Sequence, residues 1–179
     1  MTITIKRATK TVDLCTNLEL QAEYETAVEA LNKARESKVV GMEVGNVAER
    51  AAAKRIKELE APMEASTLTF TLTAVPKKKF AEFEASNPPR EDNDQDAQYG
   101  LDISKLDGLI EKCITNVVNK VTGEREDFDP ATEWVPLADD MSTGQWREFQ
   151  YAVLMVNRGV TSAPFSRSAS LVMSRSEQS

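Results

Sequence analysis

Histidine is absent from all 179 residues. That removes the side chain most often used to move protons near neutral pH. It excludes a Ser-His-Asp triad, a Cys-His dyad and any His-ligated metal. Cysteine is nearly absent too: Cys15 and Cys113 are the whole supply. Both lie in apolar-leaning stretches, as buried thiols do, and reduced thiols in a cytosol are favoured over a single disulfide. No apolar run is long enough to span a bilayer. Met1–Lys10 alternates Thr with Ile and then turns basic, without the apolar core of a signal peptide. The chain is therefore expected to stay where it is made. A surplus of positive charge is also missing. The net charge of −7 argues against broad nucleic-acid binding and is compatible with a basic protein partner.

What remains is a chain with enough apolar residues (41%) for a core of moderate size. Thr2–Ile5 and Thr11–Cys15 read as short extended pieces. Thr16 and Glu19 have capping-box spacing, and Leu20, Tyr24, Ala27, Leu31 and Ala34 then form one stripe on a helix over 18–36. Gly41 and Gly45 break it, and Asn46 and Glu49 repeat the capping spacing. Ala48, Ala52, Ile56, Leu59 and Met63 form a second stripe, ended or kinked at Pro62. Two stripes joined by a loop predict an antiparallel helical hairpin over 16–64. Whether its faces are core or a docking surface stays open at this level.

Ser66–Val75 is the clearest strand, with Leu68, Phe70 and Leu72 on one side and threonines on the other. Pro76 suits a helix start, and Phe80 and Phe83 share one side of that helix. Lys77, Lys78 and Lys79 sit in its first turn, where the helix dipole disfavours cations. They read either as a binding patch or as a solvated face. Asn87-Pro88-Pro89 stops the helix. Glu91–Gly100 reads as a solvated acidic loop. Its Asp92, Asp94 and Asp96 lack the Gly and Glu that an EF-hand needs at its sixth and twelfth places.

A helix is expected over 103–119, burying Leu106, Leu109, Ile110, Cys113 and Val117. Gly123–Pro130 reads as a charged turn. Pro136 is expected to keep 134–140 irregular. Ser142 and Gln145 cap a last helix whose Trp146, Phe149, Val153 and Val156 form an aromatic stripe, closed by Gly159. That stripe reads as core, with a partner-groove filler as the minority alternative. From Val160 the chain becomes Ser-rich, with Phe165, Leu171, Val172 and Met173 as scattered apolar anchors. The expected fold is therefore α+β and helix-dominated. One domain covers 1–159, with 16–64 as the hairpin, 66–119 as strand-helix-loop-helix and 142–159 as the C-terminal helix. A small sheet comes from Thr2–Ile5, Thr11–Cys15 and Ser66–Val75, and a flexible tail covers 160–179.

Three blocks carry a family resemblance. One is Leu68-Thr-Phe-Thr-Leu-Thr-Ala-Val-Pro76 with Lys79-Phe80 and Asn87-Pro-Pro-Arg90. Another is Thr143-Gly-Gln-Trp-Arg-Glu-Phe149 followed by Val156-Asn-Arg-Gly159 and Pro164-Phe-Ser-Arg167. The third is Thr11-Val-Asp-Leu-Cys15 ahead of a charged hairpin. In this order they resemble tail assembly chaperones of long-tailed (siphovirus-type) bacteriophages of actinobacterial hosts, over nearly the whole chain. The resemblance implies a non-enzymatic protein of the host cytoplasm. It would bind the tape-measure protein, keep it soluble and help recruit the major tail (tube) protein. A frameshift-extended form of the chain is a further partner it implies, and self-association into a homo-oligomer stays open at this level. No cofactor, metal, nucleic acid or membrane enters that role. The partner-binding candidates are Leu20, Tyr24, Leu31, Trp146, Phe149, Val153, Phe165 and Leu171. A structural tail-completion or adaptor protein is the alternative. A metal enzyme built on Asp92, Asp94, Asp96, Asp127 and Asp129 is the third reading, without a ligand pattern to carry it.

Overall fold

Strict alternation of threonine with large apolar residues makes Thr67–Thr73 the central strand of a three-stranded antiparallel sheet. The computed structural model describes residues 5–38 and 44–159. In chain order they form β1 (Thr9–Cys15), α1 (Leu18–Lys38), α2 (Val44–Ala65), β2 (Thr67–Thr73), α3 (Lys77–Ser86), α4 (Asp94–Tyr99), a 3-10 turn (Ile103–Lys105), α5 (Asp107–Cys113), β3 (Ile114–Asn119), α6 (Pro130–Asp139) and α7 (Thr143–Arg158). Helix dominates, so the expected α+β class holds.

β2 pairs with β1 through Val12↔Phe70 and with β3 through Phe70↔Val117. Phe70 and Leu72 are fully buried against α5, α6 and α7, and Val12, Leu14, Ile114 and Val117 join them. Phe70 is the hub of this core. Its ring meets Phe128 at 5.4 Å, Trp134 at 6.4 Å and Phe149 at 5.2 Å between centroids, all edge-on. Edge-on contact suits the aromatic quadrupole and adds to the area buried. The opposite sheet face carries Thr9, Thr11, Thr69, Thr71 and Thr115. There Asp13 accepts hydrogen bonds from Thr69 Oγ1 at 2.6 Å and Lys120 Nζ at 2.8 Å. Partial burial opposes ionisation of Asp13, but the Lys120 and Thr69 bonds outweigh it and hold the carboxyl below its ordinary range.

Several expectations need correction. Of the strand placed at Thr2–Ile5, only Ile5 lies among the described residues, and it is exposed coil. The third strand is β3 instead. The helix expected over 103–119 stops at Cys113, and Ile114–Asn119 is a strand. A bulge explains the misreading: Asn116 faces Thr71 while Ile114 faces Leu72, leaving Thr115 as the extra residue. In a regular strand Ile114 and Val117 would point to opposite faces. The bulge turns both inward, so a strand mimics the three-residue step of a helix.

Thr16 does not cap α1; its hydroxyl donates to the Ser66 carbonyl, and Asn17 Oδ1 accepts from the Leu20 N–H at 3.1 Å. α2 starts at Val44, two residues ahead of the expected start at Asn46, and the expected Asn46–Glu49 cap lies outside the described side chains. Pro62 lies inside α2, which runs on to Ala65.

The acidic loop contains α4, capped by Asn93 and closed by Gly100 in the left-handed region (φ 72°). The segment around Trp134 is α6, despite Pro136. Asp129 caps it by accepting from the Ala131 N–H at 3.1 Å, with Pro130 in the first turn. Pro136 costs one backbone bond, roughly 3 kcal/mol in a helix interior. Complete burial of Trp134 offsets it. α7 keeps its expected capping box, with Ser142 Oγ accepting from the Gln145 N–H at 3.3 Å and Gln145 Oε1 from the Ser142 N–H at 3.1 Å. The Ser-rich segment 160–179 lies outside the described residues.

Candidate partner-binding surface

α1 is 21 residues long and α2 is 22, so each spans about 30 Å. They pack chiefly on each other, and the main core draws no described residue from either. Their seam is thin. Ala27, Ala34, Ala52 and Leu59 are buried, while Leu20, Tyr24, Leu31, Ile56 and Met63 are only half-buried. The pair is an arm tied to the body at its base. There the Thr16 N–H and hydroxyl both reach the Ser66 carbonyl, at 2.9 and 2.8 Å. Gln145 Nε2 of α7 donates to the Cys15 carbonyl at 2.8 Å and to Gln21 Oε1 at 3.2 Å.

One flank of the arm is an open groove of about 620 Å³. Ala22, Thr26 and Ala30 follow each other by four residues on α1, and Ala48, Ala51 and Ala52 face them from α2. Small residues let another helix approach closely, so larger side chains of a partner can seat between the two ridges. Glu23 and Arg55 form an ion pair across the groove, and Arg55 also meets Glu58 at 3.7 Å. Arg35 and Glu49 pair between the helices at 3.4 Å nearer the tip. Exposed pairs of this kind contribute little to stability.

The sequence candidates fall into four groups. Leu20, Tyr24 and Leu31 stay half-buried on the arm and are available in part. Phe149 and Val153 are 0% exposed in the main core, so neither can touch a partner in the folded protein; this corrects their place among the binding candidates. Trp146 is half-buried at the core's edge, and its indole N–H donates to Asp107 Oδ1 at 2.9 Å. Phe165 and Leu171 lie outside the described residues. Ala22, Ala30 and Ala51, which line the groove, were not candidates: alanine reads from sequence as a helix former and gives no sign of a surface concavity.

Asp96 is fully buried and spent on structure. Its carboxylate takes Arg90 Nε at 2.6 Å and Nη2 at 2.9 Å, plus the Arg90 and Ile103 N–H groups at 3.1 and 3.2 Å. The bidentate Arg90 bonds hold its carboxyl far below the ordinary range. Among the described residues no three Cys, Asp or Glu side chains gather as metal ligands, and no helix is long and apolar enough to cross a membrane. Cys15 and Cys113 are free thiols; burial pushes the Cys113 thiol up.

No protein-family model, curated protein or solved structure matches the chain.

Proposed function

We propose that this chain is a tail assembly chaperone of a long-tailed bacteriophage, acting in the host cytoplasm. It holds the tape-measure protein in soluble form and assists recruitment of the tail-tube subunit, without catalysis. The observation that carries the reading is the arm. Two long helices pack on each other through a thin seam and leave an alanine-lined groove open beside it. A helix-rich client exposes apolar ridges before it is enclosed, and an open two-helix groove can cover one such ridge. The order of the three sequence blocks supports the same reading. Charge on the arm's outer surfaces keeps the covered client in water.

Co-expression with the tape-measure protein of the same phage tests the proposal. Co-purification and a gain in soluble client are expected. A client that stays insoluble and does not co-purify removes the chaperone reading. Stoichiometric presence of the chain in purified particles favours the structural adaptor instead.

A further inference from the structure

A second cleft, of about 950 Å³, lies between α3, α5 and the end of the sheet, away from the arm. Its floor is apolar: Val75, Phe83 and Leu109 line it. Its rim is cationic. Arg7 from the segment before β1, Lys79 of α3, Lys105 of the 3-10 turn and Lys112 of α5 converge there from four separate parts of the chain. All four are exposed, and none has a carboxylate partner among the described residues. By contrast, Arg90, Lys120 and Arg158 each bind an acidic side chain. Glu82 is the one acid on the rim, and it lies within 3.9 Å of Lys78.

Four unpaired cations gathered on one cleft of a chain with net charge −7 repel one another, and a negative occupant relieves that repulsion. We propose that this cleft binds an acidic polypeptide segment of another protein, one that seats an apolar side chain on the floor and sets carboxylates against the rim. The chain's own C-terminal segment fits poorly, because its charged residues are Arg167, Arg175 and Glu177. A nucleic acid fits less well than a peptide: the floor is aliphatic apart from Phe83, Glu82 adds a negative charge to the lining, and four cations make a short track. The Lys77–Lys79 run noted in the sequence thus contributes one member, Lys79, to a patch assembled by the fold.

The test is fluorescence anisotropy of the whole chain with a labelled synthetic peptide of leucine and glutamate in amphipathic spacing. The same peptide with lysine for glutamate and a labelled single-stranded oligonucleotide serve as comparisons. Binding of the acidic peptide alone is expected, weakening as salt rises. Lys79→Glu/Lys112→Glu should weaken it roughly tenfold or more, about 1.4 kcal/mol per factor of ten. Lys57→Glu, exposed on α2, should leave it unchanged. Both substitutions sit at exposed positions, and melting curves check that each variant is folded. Absence of peptide binding, equal binding to the charge-reversed variant, or preference for the oligonucleotide overturns the proposal. None of these outcomes depends on whether the arm binds a tape-measure protein.

Discussion

Asp107 holds both tryptophans of the chain. Its Oδ1 accepts the Trp134 indole N–H at 3.1 Å and the Trp146 indole N–H at 2.9 Å. Replacing it with alanine orphans both donors. Trp134 is 0% exposed, and a lost bond to a charged group there costs about 1.5–3 kcal/mol. Trp146 is half-buried and can turn toward water, which limits its loss to about 0.5–1 kcal/mol. Asp107 also opens α5, where a carboxylate favours the helix N-terminus by about 0.3–1 kcal/mol. Asp107→Ala should therefore destabilise the fold by about 2–5 kcal/mol. Asp107→Asn keeps a carbonyl acceptor and should lose less than half of that. Urea unfolding followed by tryptophan fluorescence and by circular dichroism reads the difference as a lower midpoint with an unchanged slope. Because the fluorophores are the affected donors, the native emission should change as well. An alanine variant within about 0.5 kcal/mol of the parent, or alanine and asparagine variants equally damaged, would refute the assignment.

Phe70→Ala removes the ring at the centre of the aromatic cluster and should cost about 3–5 kcal/mol, read as a lowered midpoint in the same assay. Because Asp96 ionises at lower pH when folded than when unfolded, its pair with Arg90 contributes stability fully above the unfolded carboxylate range. That contribution is lost as pH falls through the folded value. Asp96→Asn should be less stable near neutrality and lose less on acidification; equal slopes for parent and variant in acid would contradict the pairing. A thiol reagent should modify half-buried Cys15 in the native protein and reach Cys113 only on unfolding, and labelling of both at one rate would contradict the burial of Cys113.

Legibility from sequence followed the physics of each signal. β2 was legible because alternation of Thr with Leu and Phe has one structural solution in a half-buried sheet. The α7 capping box and the Gly159 stop were legible because each is a local hydrogen-bond device. β3 was not, because the extra residue at Thr115 gives a strand the burial spacing of a helix. α6 was missed because a local rule about Pro136 lost to the tertiary gain of burying Trp134. The Asn93 cap and the Gly100 stop were both present in sequence, yet acidic composition hid α4 and the buried role of Asp96. Of the candidate surface, the two helical stripes were readable, but the groove beside them was not. Ala27, Ala48 and Ala52 belong to the stripes, but Ala22, Ala30 and Ala51 have no hydrophobic signature, and only the antiparallel packing of α1 on α2 brings them together. The cationic cleft is more extreme, since Arg7 and Lys112 share a rim only after the whole body has folded.

The central claim is that the alanine groove of the arm receives a helix of the tape-measure protein. Ala30→Glu/Ala51→Glu places two carboxylates in that groove at exposed positions on strong helix backbones, so the melting temperature should stay close to the parent's. Co-purification of this double variant with the tape-measure protein is the most direct test. The account predicts capture by the parent chain and loss of capture by the variant. Undiminished capture by a folded variant, or no capture by either protein, would contradict it.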